Sequence, residues 1–240
     1  MSSRRRRELA TREDQILEVA AAMLTEHGHQ GLTMDRLAKA TGLSKGTLYQ
    51  HFSCREEILV ALVSQGAERR LGLFERALSW DGSSREQATA LLAAQDAFGT
   101  AFPHHDAAEL AMSASSAIDK APADLVLRRN QMLARTADLV ESLVARAVES
   151  GDLVADRASE VWSGLRRLIL GGMVEHVRAA SNEDPDAPAP LKLRLSAQTY
   201  LDGLGWKPRS DEVDYEALFL RVREEQFPDA SPEAKAPGDE

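Results

Sequence analysis

Between Thr33 and Phe52 the chain reads Thr-Met-Asp-Arg-Leu-Ala-Lys-Ala-Thr-Gly-Leu-Ser-Lys-Gly-Thr-Leu-Tyr-Gln-His-Phe, which places hydroxyls, an amide, a phenol, an imidazole and ammonium groups close together. Such groups are the partners that phosphate oxygens and base edges take. Ser44, Thr47 and Gln50 suit base edges, because an amide pairs bidentately with adenine and a threonine methyl meets that of thymine. Gly46 would let the backbone come close to a duplex. The same groups have quieter uses: Thr33 and Ser44 as helix caps, Tyr49 and Phe52 as core, Arg55 as a partner for Glu56.

To act together these residues need two short helices held at a steep angle. That crossing requires a small residue at the contact, a residue tolerant of positive φ in the turn, and apolar residues on both inner faces. Ala38, Gly42 and the set Leu37, Leu43 and Leu48 meet these needs in order. Helices are expected over Met34 to Ala40 and Lys45 to Gln50, capped by Thr33 and Ser44. The second would present Ser44, Lys45, Thr47, Tyr49 and Gln50 outward, as a recognition helix does in a major groove. A helical hairpin with a glycine turn shares the short Ala-x-x-x-Gly signature.

The flanking elements also read as helices. Thr11 is the expected cap of a first helix with Ile16, Leu17, Ala20, Ala21 and Leu24 on one face and Gly28 at its end. Ser53-Cys54-Arg55-Glu56 reads as a capping box opening a long fourth helix. Later helices are expected from Ser84 to about Gly99, Asp106 to Ala117, Pro122 to Glu149 with Gly151 as its stop, Arg157 to Ala180, Leu191 to Gly203, and around Tyr215 to Val222. Strand signals are nearly absent, so the fold class expected is all-α. Residues 181–190 hold three prolines and read as an exposed connection, and the segment after Pro228 reads as an acidic disordered tail.

From Thr11 through Leu59 the chain resembles the TetR family of one-component bacterial transcription regulators. The residues that carry the likeness are Ile16-Leu17, Ala20-Ala21, Glu26-His27-Gly28, Thr33, Gly42 through Tyr49, His51-Phe52-Ser53 and Glu56-Glu57-Ile58-Leu59. The resemblance implies that Thr33, Tyr49 and His51 grip phosphate, that Lys45 reaches phosphate or a base edge, and that Arg55 holds backbone at the start of the fourth helix. It implies four parts: a basic arm (1–10), a helix-turn-helix DNA-binding domain (11–55), a larger helical domain for effector binding and dimerisation (56–227), and the tail (228–240). The expected partners are a palindromic double-stranded DNA operator, a second copy of the chain and a small-molecule effector. The activity implied is repression relieved by that effector; activation and pure protein association are the alternatives.

Seven-residue apolar stripes in 122–149, with the helix of 157–180, suit a dimer interface. Gly171 and Gly172 within the latter suit close helix approach or a tolerated kink. Candidate effector contacts, chosen for apolar or polar-tipped side chains in the right region, are Phe98, Phe102, Met112, Trp162 and His176.

The net charge of −9 in 240 residues does not oppose nucleic-acid binding, because its distribution is uneven. Residues 210–240 hold ten acids and three bases, whereas residues 1–60 hold nine bases and eight acids. A local basic surface acts independently of charge beyond about 10 Å in salt. Arg4 to Arg7 suit either an arm on DNA or a solvated charge run. No apolar run approaches the roughly 20 residues of a membrane span, and no apolar leader opens the chain, so a cytoplasmic protein is expected. The single cysteine, Cys54, fits a reducing compartment and leaves open redox sensing or simple packing.

Enzyme signatures are missing: there is no Gly-rich phosphate loop, no Gly-x-Ser-x-Gly elbow and no His-Glu-x-x-His. Glu26 and His29 give one Glu-x-x-His spacing, interrupted by Gly28. His104-His105 beside Pro103 reads as a surface loop. Neither a catalytic residue nor a metal or cofactor is expected.

Overall fold

A computed structural model describes residues 3–113, 117–181 and 193–228. The expected connection beyond Ser181 and the acidic tail lie outside them. The described residues form eleven α-helices and no strand: α1 (Ser3–Gly31), α2 (Met34–Thr41), α3 (Lys45–His51), α4 (Arg55–Leu78), α5 (Ser84–Ala101), α6 (Pro103–Ser113), α7 (Ala117–Lys120), α8 (Ala123–Glu149), α9 (Ala158–Ser181), α10 (Leu193–Gly203) and α11 (Tyr215–Gln226).

Several boundaries differ from those expected, each for a local reason. The first helix starts at Ser3 rather than at Thr11, so the backbone of Arg4 to Arg7 is helical; a kink at Gly28 (φ 61°) interrupts it before Gly31. At the start of α4 the cap is Cys54, half-buried and making no side-chain cap bond. Glu57, not Glu56, reaches back there, accepting from the Ser53 N–H at 2.6 Å and its Oγ–H at 2.7 Å. A reciprocal box forms one helix later, between Ser83 and Glu86. Pro103-His104-His105 is the first turn of α6 and no surface loop, since proline fits where an N–H has no helical partner. Its His105 is buried. Serines and threonines capping at neighbouring positions look alike in sequence, and packing chooses between them.

Two apolar cores are joined by one long helix. The first gathers Ile16, Leu17, Ala20 and Leu24 of α1, Leu37 and Ala38 of α2, Leu48 of α3, Ile58 to Val63 of α4, and Ala108 and Met112 of α6. The second takes Phe74 and Ala77 from the far end of α4, the alanine-rich face of α5, Val140 to Ala147 of α8, Val161 and Leu165 of α9, and the buried residues of α10 and α11. Packing is therefore continuous across residue 55, and α4 is the beam that fixes α1 to α3 against the larger helical body. Trp206, wholly buried, and Arg85 hold the C-terminal helices: the Arg85 guanidinium donates to Trp206 O at 2.8 Å, Gln198 Oε1 at 2.9 Å and Asp202 Oδ1 at 3.0 Å. Among the described residues no helix is long and apolar enough to cross a membrane.

Candidate nucleic-acid interface

The α2–α3 unit is built by its turn. Gly42 adopts φ 69°, ψ 15°, the left-handed conformation, and Leu43 N–H donates to Ala38 O at 3.0 Å, closing α2 and redirecting the chain. Thr33 Oγ1 accepts from Arg36 N–H at 3.3 Å, and Ser44 Oγ accepts from Thr47 N–H at 3.1 Å. Leu37, Ala38 and Leu48 are buried beneath, which leaves the other face of α3 for solvent.

That outer face carries most of the expected contacts. Ser44, Lys45, Gly46 and Gln50 are exposed, and Tyr49 keeps half its surface in solvent, so the phenol is not core; Phe52 is. A side chain at Gly46 would have room, its nearest neighbour being Ser44 Oγ at 3.9 Å. Nothing among the described residues therefore requires glycine there, although glycine in a helix costs about 1 kcal/mol relative to alanine. Ser44 Oγ and Thr47 Oγ1 lie 2.8 Å apart and share one hydrogen bond, leaving the pair with further polar capacity.

The charged members are not bare. Lys45 Nζ sits 2.7 Å from Asp35 Oδ1, and the hydrogen bond and charge of Asp35 raise its pKa. His51, expected to grip phosphate, turns instead towards α1, its Nδ1 3.4 Å from Glu13 Oε1 and its side chain only 7% exposed. Arg55 Nη2 stands 3.5 Å from Glu56 Oε1, and Lys120 Nζ of α7 reaches the same oxygen at 3.3 Å. Burial pushes the Glu56 carboxyl up, but its backbone hydrogen bond and the two cations outweigh this and hold it below the usual range. The pairs Asp35 with Lys45 and Glu13 with His51 join residues far outside helical i, i+4 spacing, so no periodicity pointed to them.

The five candidate effector contacts do not converge. Phe98 is fully buried and Phe102 half-buried, their rings 5.6 Å apart. Met112 belongs to the first core, while Trp162 packs on the second. His176 lies in a chain of charges, 3.5 Å from Asp96 and 3.7 Å from Asp106. Burial opposes its positive charge, yet the two carboxylates raise its pKa to about 9. A cavity of about 790 Å³ opens elsewhere, between α1 and the α4–α6 surface, lined by Leu17, Ala21, Leu62, Arg69, Phe102 and His105 among others. Of the five, only Phe102 borders it. Burial, then the charges of His104 and Arg69, push His105 down to about 3; the neutral ring accepts from Arg69 Nη1 at 3.2 Å. Arg69 was not legible as a lining residue, because its place on the wall depends on how α1 crosses α4.

Residues 16–62 match the family described as bacterial regulatory proteins, tetR family. The chain carries a TetR-family N-terminal domain. It is 40% identical over 62 residues to the HTH-type transcriptional repressor AcnR of Corynebacterium diphtheriae, a stretch of 26% of this chain and 33% of that protein. The chain thus spans about a third of the length of that curated relative. The TetR-family regulator PfmR from Thermus thermophilus superposes with a TM-score of 0.54 at 25% identity, over 70% of this chain and 91% of that one. A gamma-butyrolactone receptor described as ArpA-like gives a TM-score of 0.64 at 18% identity, over 91% and 99% of the two chains, which shows a shared fold. The TetR-type fold therefore extends beyond the helix-turn-helix into the larger helical region.

Proposed function

We propose that the chain is a cytoplasmic transcriptional repressor that binds an operator of two inverted half-sites as a homodimer and releases it when a small molecule binds. The observation that carries this reading is the outer face of α3: a polar surface with a half-exposed Tyr49 and an unforced glycine, set on a packed core. Thr33, Lys45, Tyr49 and Arg55 contact phosphate, with His51 joining once it leaves Glu13. Ser44, Thr47 and Gln50 read bases, and Gly46 allows the approach. Names of relatives such as AcnR support repression rather than activation.

One short helix reads few base pairs, so two copies related by a two-fold axis are needed for operator-grade affinity. Exposed Leu127 and Leu133 on α8 and Leu170 on α9, with open space above Gly171, supply an apolar surface for the second copy. A ligand in the cavity bordered by α1, α4 and α6 touches the DNA-binding unit and the larger body together, and so favours one spacing of the paired units over another.

Sequencing the duplex fragments retained by purified protein tests the reading. An inverted repeat is expected, and Lys45→Ala or Tyr49→Ala should weaken binding by about tenfold, with Lys45→Ala lowering the salt slope by less than about 2 per dimer. Fragments with no shared repeat, or variants that bind as the parent does, would reject it.

A further inference from the structure

Each of three basic side chains expected to meet phosphate already has a carboxylate beside it: Asp35 on Lys45, Glu13 on His51 and Glu56 on Arg55. Glu56 is also shared with Lys120, off the recognition face, whereas Asp35 and Glu13 have no such second partner among the ion pairs of the described residues. We infer that Asp35 and Glu13 are built-in competitors of DNA phosphate, so that each protomer exchanges internal carboxylates for phosphates as it docks. This rests on the proposed DNA-binding function.

The physical argument concerns charge released and charge retained. A free cation that neutralises phosphate releases condensed counterions from the duplex and gains affinity. Lys45 starts 2.7 Å from an exposed carboxylate, which DNA binding strands beside a polyanion, where it repels phosphate and takes up cations from solution. Both effects oppose the gain. For His51 the cost is larger in geometry: its ring is nearly buried against α1 and must turn outward from Glu13 to reach a phosphate. The acids therefore hold down charge-driven affinity for duplex of any sequence and leave base contacts to supply the rest. The raised pKa of Lys45 agrees with a pair formed in the free protein.

The test measures affinity of the full chain for a mixed-sequence duplex, and for the retained inverted repeat, across a series of salt concentrations. Asp35→Asn should tighten mixed-sequence binding by about two- to fivefold per protomer, the range of an exposed ion pair, and steepen the salt slope. Glu13→Gln should act in the same direction. The Asp35→Asn gain should shrink in a Lys45→Gln background to the part owed to direct repulsion of phosphate, and the difference is what works through Lys45. Unchanged or weaker binding by Asp35→Asn, or an equal gain with Lys45 replaced, would overturn the inference. A parent protein that retains no duplex and is indifferent to Lys45→Gln would instead reject the DNA-binding reading itself. All three residues are exposed or partly exposed, so an unaltered far-ultraviolet circular dichroism spectrum is expected and excludes unfolding as the cause.

Discussion

Gly99 shows how one absent methyl can hold a network in place. A Cβ there would run into the His176 imidazole, which stands between Asp96 and Asp106 only because α5 offers no side chain at that point. Gly99→Ala should therefore lower stability by about 2 kcal/mol, the typical cost of overpacking, read as a reduced urea midpoint. Gly171→Ala, whose Cβ meets nothing among the described residues, is the control and should not destabilise the isolated protomer. Gly99 was legible only as a helix end, since a close approach from α9 leaves no local mark in the sequence. Gly42 was legible because its reason, a left-handed turn, is local.

The charged ladder linking α4, α5, α6, α9 and α11 makes stability depend on pH at both ends. Arg70 donates to Asp106 at 2.7 Å, His176 lies between Asp106 and Asp96, and Arg223 donates to Asp96 at 3.0 Å. With its pKa raised to about 9, His176 contributes stability that is fully present below about 6.5, its unfolded value, and is lost as pH rises through 9. His105, pushed down to about 3, has the opposite sign: its contribution is present above about 6.5 and is lost as pH falls towards 3. Urea midpoints measured from pH 4 to 10 should fall at both limits, and His176→Gln should flatten the alkaline limb. An alkaline limb that persists in that variant would show that other groups carry it. Helix existence was readable from apolar periodicity, but this ladder was not: its members are ordinary polar residues until five helices meet.

Assembly is a property of surfaces rather than of elements. The stripe read in α8 divides along its length in the structure: Val140 and Ala147 pack in the protomer's own core, while Leu133, two turns earlier on the same face, stays exposed. That division leaves the first half of the same face open to a second copy in the proposed dimer, while the second half serves the protomer's own core. Leu133→Glu combined with Leu170→Glu should give a folded monomer by sedimentation and reduce operator binding by more than tenfold, because the half-sites then act singly. A double variant that remains dimeric would move the interface elsewhere.

Apolar spacing, caps and the Thr33 to Phe52 pattern were enough to establish an all-helical chain with a helix-turn-helix near its front, since those signals act within a few residues. Which faces lie outward on α3, which acid answers Lys45 or His51, where the cavity opens and why Gly99 is glycine depended on helices distant in the chain being brought together. Those contacts arise from crossing angles and side-chain volumes, and such quantities exist only once the helices have packed.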